Sequence, residues 1–123
     1  MNYLSPQEML FIHYRTIEEL DGAQGIQDLP ILKKLATYLH NNDVFPDRFS
    51  KASALLFGIA KKKPFLDLNK ESALLLTKIF LSLNGENLNI EGSALTDFIK
   101  KELSKATVEE IKKVIIHNST ASI

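Results

Sequence analysis

Between residues 61 and 76 the chain reads KKKPFLDLNKESALLL, a stretch whose side chains suit phosphate and metal chemistry. Asp67 stands just before an apolar run of helical spacing that starts near Asn69. The first N–H groups of such a helix lack partners and lie at the positive end of its dipole, which suits an anion. An acid just outside that end can hold a magnesium ion bridging phosphates. Lys63 and Lys70 add positive charge. The same residues also have a plainer use. Lys61–Lys63 suit the negative end of the preceding helix, and Pro64 stops that helix. Asp67 or Asn69 can cap the next one, and Phe65 can plug the core. Taken alone, the local pattern favours this plainer use.

The elements that must position the stretch are helical almost throughout. Ser5, Pro6 and Glu8 form a capping box with proline at the first helical position, and Met9, Ile12, Ile17 and Leu20 then make an inward stripe. Gly22 and Gly25 end that helix. A second helix is expected over 30–40, with Ile31, Leu35, Tyr38 and Leu39 inward. Pro46 should open a third, which carries Phe49, Ala52, Ser53, Leu56, Phe57 and Ala60 and ends in the lysines. The fourth, from Asn69 to Leu83, is apolar on more than one face through Ala73–Leu76, Ile79 and Phe80, so it is expected to be central and the most buried. Two amphipathic helices follow near Ser93–Ser104 and Thr107–His117. "ENLNIEG" alternates briefly, as a short extended segment would. Residues 1–117 read as one all-α domain of about six helices, and 118–123 as a tail with no reason to be ordered.

Composition bounds the function. The chain has 123 residues, 45% of them hydrophobic and 24% charged, the balance of a soluble globular protein. With no cysteine there is neither a disulfide nor a thiolate nucleophile, and a cytoplasmic setting fits. Fifteen basic residues balance fifteen acidic ones, which argues against a generic nucleic-acid or anionic-membrane binder. The longest nearly unbroken apolar run, Ala54–Ala60, is far shorter than the about 20 residues of a membrane span. From Met1 onward no basic region precedes an apolar stretch, so no signal peptide is expected. His13, His40 and His117 lack ligand spacing, so no metal site is expected among them.

The order of these features resembles the Fic/Doc family, in its death-on-curing (Doc) branch. That family's signature reads H-P/I-F-x-D-G/A-N-K-R-T-A, and residues 63–73 read K-P-F-L-D-L-N-K-E-S-A. Pro64, Phe65, Asp67, Asn69, Lys70 and Ala73 agree. LSPQEMLFIHYRTIEELDGAQGIQD is similar to the family's opening, an S/T-x-E-E helix with a His and then a Gly-x-x-Gly-Ile-x-Asp turn. ASALLFGIAKK and FLSLNGENL resemble the helices flanking its active loop. The likeness covers about residues 3–115. It implies a small all-α bundle whose loop binds a nucleoside triphosphate and magnesium. It further implies a His as general base, the acid on the metal, and Asn, backbone N–H groups and basic residues on the phosphates. Family members transfer AMP or, in Doc, a phosphoryl group to a protein hydroxyl, and Doc is neutralised by the antitoxin Phd.

Three departures fall on positions the resemblance makes important. Lys63 stands at the catalytic His position, and a lysine with its ordinary pKa of about 10.4 cannot accept a proton at pH 7. A helix-end cation or a phosphate contact is its expected role. Glu71 stands at the phosphate-binding Arg, where a carboxylate repels a triphosphate. Leu68 replaces Gly or Ala. Ser72 for Thr is mild. The resemblance thus assigns Asp67 to magnesium and Asn69, Lys70, Glu71 and Ser72 to the phosphates. His13 matches a family position on the first helix and is expected to pack or hydrogen bond. The expectation is a Doc-like protein with impaired or lost transfer and weak or no ATP and magnesium binding. It would act by binding a protein, such as a Phd-like antitoxin, beside the loop. The alternatives are an active ATP- and magnesium-dependent kinase or AMP-transferase with altered residues, acting on a protein substrate, and a structural helical domain with no ligand.

Overall fold

In the computed structural model, which describes residues 1–90, 93–103 and 105–122 and over 93–96 the backbone alone, the capping box starts the first helix. Ser5 Oγ accepts the Glu8 N–H at 3.1 Å and Glu8 Oε1 accepts the Ser5 N–H at 3.0 Å. Two otherwise orphaned donors are thus satisfied reciprocally. α1 (Pro6–Leu20) buries Met9, His13, Thr16 and Ile17. Leu20 is exposed, a correction to the expected stripe, because the buried face turns through His13 and Thr16 instead. Asp21 ends the helix in the left-handed region at φ 55°.

Asp28 caps α2 (Leu29–Tyr38), which buries Leu32 and Ala36, with Leu39 buried just beyond its end. Leu39 is inward as expected, but along the helix itself the inward face is one residue on from the expected one. Ile31 and Leu35 are half-buried and Tyr38 is exposed. Asp47, not Pro46, opens α3 (Arg48–Lys62), its Oδ1 accepting the Ser50 N–H at 2.8 Å. α3 is the most buried element. It buries every residue from Ser50 to Leu56, then Ile59 and Ala60. This corrects the expectation for α4 (Asn69–Leu83), which buries Ser72, Ala73, Leu76, Thr77, Phe80 and Leu81 and leaves Leu74 and Leu75 half-buried. Small side chains let neighbours close on α3, and the buried Ser53 hydroxyl is satisfied within the helix, its Oγ donating to Phe49 O at 2.7 Å. α3 and α4 share the largest contact between elements.

Lys51 is fully buried in α3. Its Nζ donates to Leu39 O at 2.5 Å, an orphan carbonyl at the end of α2, and to Asn42 Oδ1 at 2.9 Å. Arg48 forms an ion pair with buried Glu86, tying α3 to β1 (Glu86–Leu88). α5 (Ser93–Lys101) and α6 (Val108–His117) follow. β2 (Ser119–Ala121) then pairs antiparallel with β1, Glu86 opposite Ala121 and Leu88 opposite Ser119. The expected unordered tail at 118–123 is corrected over these residues. The exposed edge of β1 gives them main-chain partners, and the Asn89 and Ser122 N–H groups extend the pairing to Asn118 O and Gly85 O. Glu91, Gly92, Ser104 and Ile123, where expected elements begin or end, lie outside the described residues. Among the described residues the architecture is an all-α bundle of six helices with one two-stranded sheet. No helix is long and apolar enough to cross a membrane.

Candidate functional site

The loop between α3 and α4 is built chiefly from main-chain bonds. Lys63 closes α3 in the left-handed region at φ 50°, its N–H on Ile59 O at 3.0 Å, and Pro64 forbids a further turn. Pro64 O accepts the Gln27 and Asp28 N–H groups at 2.7 and 2.9 Å, and Leu66 N–H donates to Gly25 O at 3.0 Å. Ile26 and Phe65 form an antiparallel bridge. Gln27 Nε2 adds a bond to Lys63 O at 3.0 Å. The segment after α1 thus lies along the loop like one rung of a sheet. Gly22 allows the close approach, since a Cβ there would stand 2.7 Å from Leu68 Cδ1 and 3.0 Å from Asp67 Oδ2.

Asp67 and Asn69 secure this loop from within. Asp67 Oδ2 accepts the Ala23 N–H at 3.0 Å and Oδ1 accepts the Leu68 N–H at 2.9 Å. These two donors, with a smaller pull from His13, hold its carboxyl below the usual aspartate range. Asn69 clasps the backbone of Phe65, its Oδ1 accepting the N–H at 3.0 Å and its Nδ2 donating to the carbonyl at 2.9 Å. Neither residue caps α4, which corrects the capping expectation. Leu68 occupies the N-cap position at φ 55°, and no side chain caps the helix.

Behind the loop lies a buried aromatic stack. Phe65 is fully buried with its ring on His13, centroids 3.7 Å apart and planes 5° from parallel. His13 Nδ1 is 2.7 Å from Ser72 Oγ, while its Nε2 is buried without a partner. Packing and hydrogen bonding are indeed what His13 does. Burial pushes its pKa down, and Asp67 pulls it partly back.

The structure gathers Asp67, Asn69, Lys70, Glu71 and Ser72 into one loop end and first helical turn, with Lys63 at the other end of the loop. Lys63 and Glu71 are exposed, Lys70 is half-buried, and Ser72 is buried with its hydroxyl on His13. This set fits a magnesium triphosphate poorly. Glu71 suits the α4 dipole but repels a polyanion. Leu68 puts a side chain where phosphate would approach the backbone, and the Ser72 hydroxyl is engaged inward. Among the described residues no three His, Cys, Asp or Glu groups come together to hold a metal.

No protein-family model matches this chain, and no curated protein matches it. The site therefore rests on its own geometry. What sequence reasoning passed over is the part that 23–28 plays in holding the loop. Its signal was the Gly22, Gly25 and Asp28 turn, whose main-chain partners no side-chain pattern announces.

The buried His13 has a consequence for stability. Its folded-state pKa is depressed, so the unfolded chain binds the proton more readily. The contribution is fully present above the unfolded value of about 6.5 and is lost as pH falls through it toward the lower folded value. Denaturant midpoints at pH 7.5 and 5.5 should therefore show a loss in the wild type that His13→Gln reduces. Equal losses in both would mean that His13 is not the buried neutral group.

Proposed function

We propose that this chain is a Doc-like member of the Fic/Doc family that has lost most or all nucleotide-dependent transfer and acts in the cytoplasm by binding a protein. A Phd-like antitoxin is the partner class that the resemblance implies. One observation carries the proposal. Three of the polar groups that would serve a nucleotide are bonded to the protein itself, Asp67 to Ala23 and Leu68, Asn69 to Phe65, and Ser72 to His13. The loop keeps its shape with these three ligands engaged, and it leaves Lys70 beside the repelling carboxylate of Glu71. A retained kinase or AMP-transferase activity has one feature in its favour, the uncapped start of α4 beside an ionised Asp67.

Thermal unfolding with and without ATP and magnesium tests the proposal, comparing the wild type with Lys63→His/Leu68→Gly/Glu71→Arg. Histidine restores a base with an ordinary pKa near 6.5. Arginine exchanges a repelling charge for a fork of donors, and glycine suits both the left-handed backbone and a close phosphate. The wild type should respond little. The triple variant should rise, since ligand at 100 times Kd adds about 2.7 kcal/mol. Sub-micromolar ATP binding by the wild type would overturn the loss of function. A well-folded triple variant with no response would remove the nucleotide ancestry of the loop.

A further inference from the structure

The apolar stripe that α2 leaves unburied lines a trough. Ile31, Leu35 and Tyr38 recur at i, i+4 and i+7 and form one wall of an open depression of about 960 Å³. The facing wall comes from α3, where Ala54, Phe57 and Gly58 recur at i, i+3 and i+4. Gly58 lets the walls meet, since a Cβ there would stand 2.9 Å from Leu35 Cδ1. Tyr38 is 51% exposed and stands edge-on to Phe45, centroids 5.0 Å apart. Other large apolar side chains such as Phe11 and Leu20 are exposed as well, but here apolar residues of two helices line one concave surface, as at an interaction site.

Two features select the occupant. Both walls carry helical periodicity, so a third helix laid in the valley meets side chains of each at its own i, i+4, i+7 spacing. The ten residues of α2 span about 15 Å at 1.5 Å per residue, the length of about three helical turns. The charge is also one-sided. Lys33, Lys34 and Lys62 line the trough, and among the described residues no acidic side chain does. A basic flank would meet like charge and an acidic one its complement. We infer that this trough binds an amphipathic α-helix of another protein, apolar along one stripe and flanked by Asp and Glu. The inference rests on the protein-binding part of the proposed function and not on the nucleotide ancestry of the loop.

The test selects a displayed library of helical peptides, about three turns long with apolar and charged positions randomised, against the full chain. Enriched peptides are mapped by backbone amide NMR. Apolar i, i+4, i+7 anchors with acidic flanks are the expected yield, with shifts centred on Ile31, Leu35, Tyr38 and Phe57. Lys33→Glu/Lys34→Glu/Lys62→Glu alters only exposed side chains. It should unfold as the wild type does while weakening an enriched acidic peptide by about tenfold or more. No enrichment, enrichment of neutral or basic peptides, shifts elsewhere, or unchanged affinity in the charge-reversed variant each overturns the inference. So does dodecanoate shifting the same signals when no peptide does, which would make the trough a small-molecule pocket. A positive selection beside a silent ATP arm leaves the trough standing without the loop's ancestry, and the reverse result separates them equally well.

Discussion

Phe65→Ala is expected to lower the unfolding free energy by about 3–5 kcal/mol, the range for removing a sealed aromatic side chain. The ring has no exposure and covers one face of His13. Its loss opens a cavity behind the loop and leaves the imidazole packed against empty space. The backbone bonds of residue 65 to Asn69 do not depend on the ring, so the loop cannot easily collapse into the gap. Phe65→Leu, which keeps most of the volume, should cost less than half as much. Urea unfolding of the three proteins checks this. A loss under 1 kcal/mol for the alanine variant would show that the ring does not seal the core.

Lys51→Ala should be comparably severe, at about 3–5 kcal/mol, because a cavity and an unsatisfied buried acceptor arise together. The Leu39 carbonyl at the end of α2 would lose its donor in a place water does not reach. Asn42 would lose its contact in the following turn, and the Tyr3 ring, whose centroid lies 5.4 Å from Nζ, would lose its cation. Lys51→Met separates the two parts. It refills the space of the stem but donates nothing, so it should cost about 1–3 kcal/mol. Equal unfolding midpoints for the methionine variant and the wild type would mean that the hydrogen bonds contribute nothing net and that the lysine serves only as filler.

The sequence disclosed the parts of the fold whose signals are local. The Ser5–Glu8 capping box and the stop at Pro64 act within one turn of chain, and both are where their residue types place them. Misreadings arose where a third element decides. α2 carries two apolar stripes, Ile31–Leu35–Tyr38 and Leu32–Ala36–Leu39, and packing of α2 against both α1 and α3, rather than its own pattern, leaves the second as the buried one. α3 looked less buried than α4 because serine, alanine and a lysine fill its inner face. Nothing in a hydrophobicity pattern says that a serine will bond its own helix or that a lysine will cap another. At the candidate site, the acid and amide at 67 and 69 were visible as groups able to bind either a ligand or the backbone. Asn69 chooses the local backbone of Phe65, whereas the bond of Asp67 to Ala23 depends on the Gly22–Asp28 turn about forty residues earlier.

That dependence on the main chain has an evolutionary side. The path of the loop is written in bonds from Pro64 O, Leu66 N–H and the backbone of Phe65. Among the described residues, the side chains of Leu66, Lys70 and Glu71 enter no hydrogen bond or ion pair. Selection for a folded protein is therefore nearly silent at these positions and loud at Gly22, Phe65, Asp67 and Asn69. Substitutions can drift through the first set without altering the frame that displays them. Shape and chemistry at this loop are inherited separately, so a lineage can exchange one ligand for another, or abandon ligands altogether, through a series of soluble and folded intermediates.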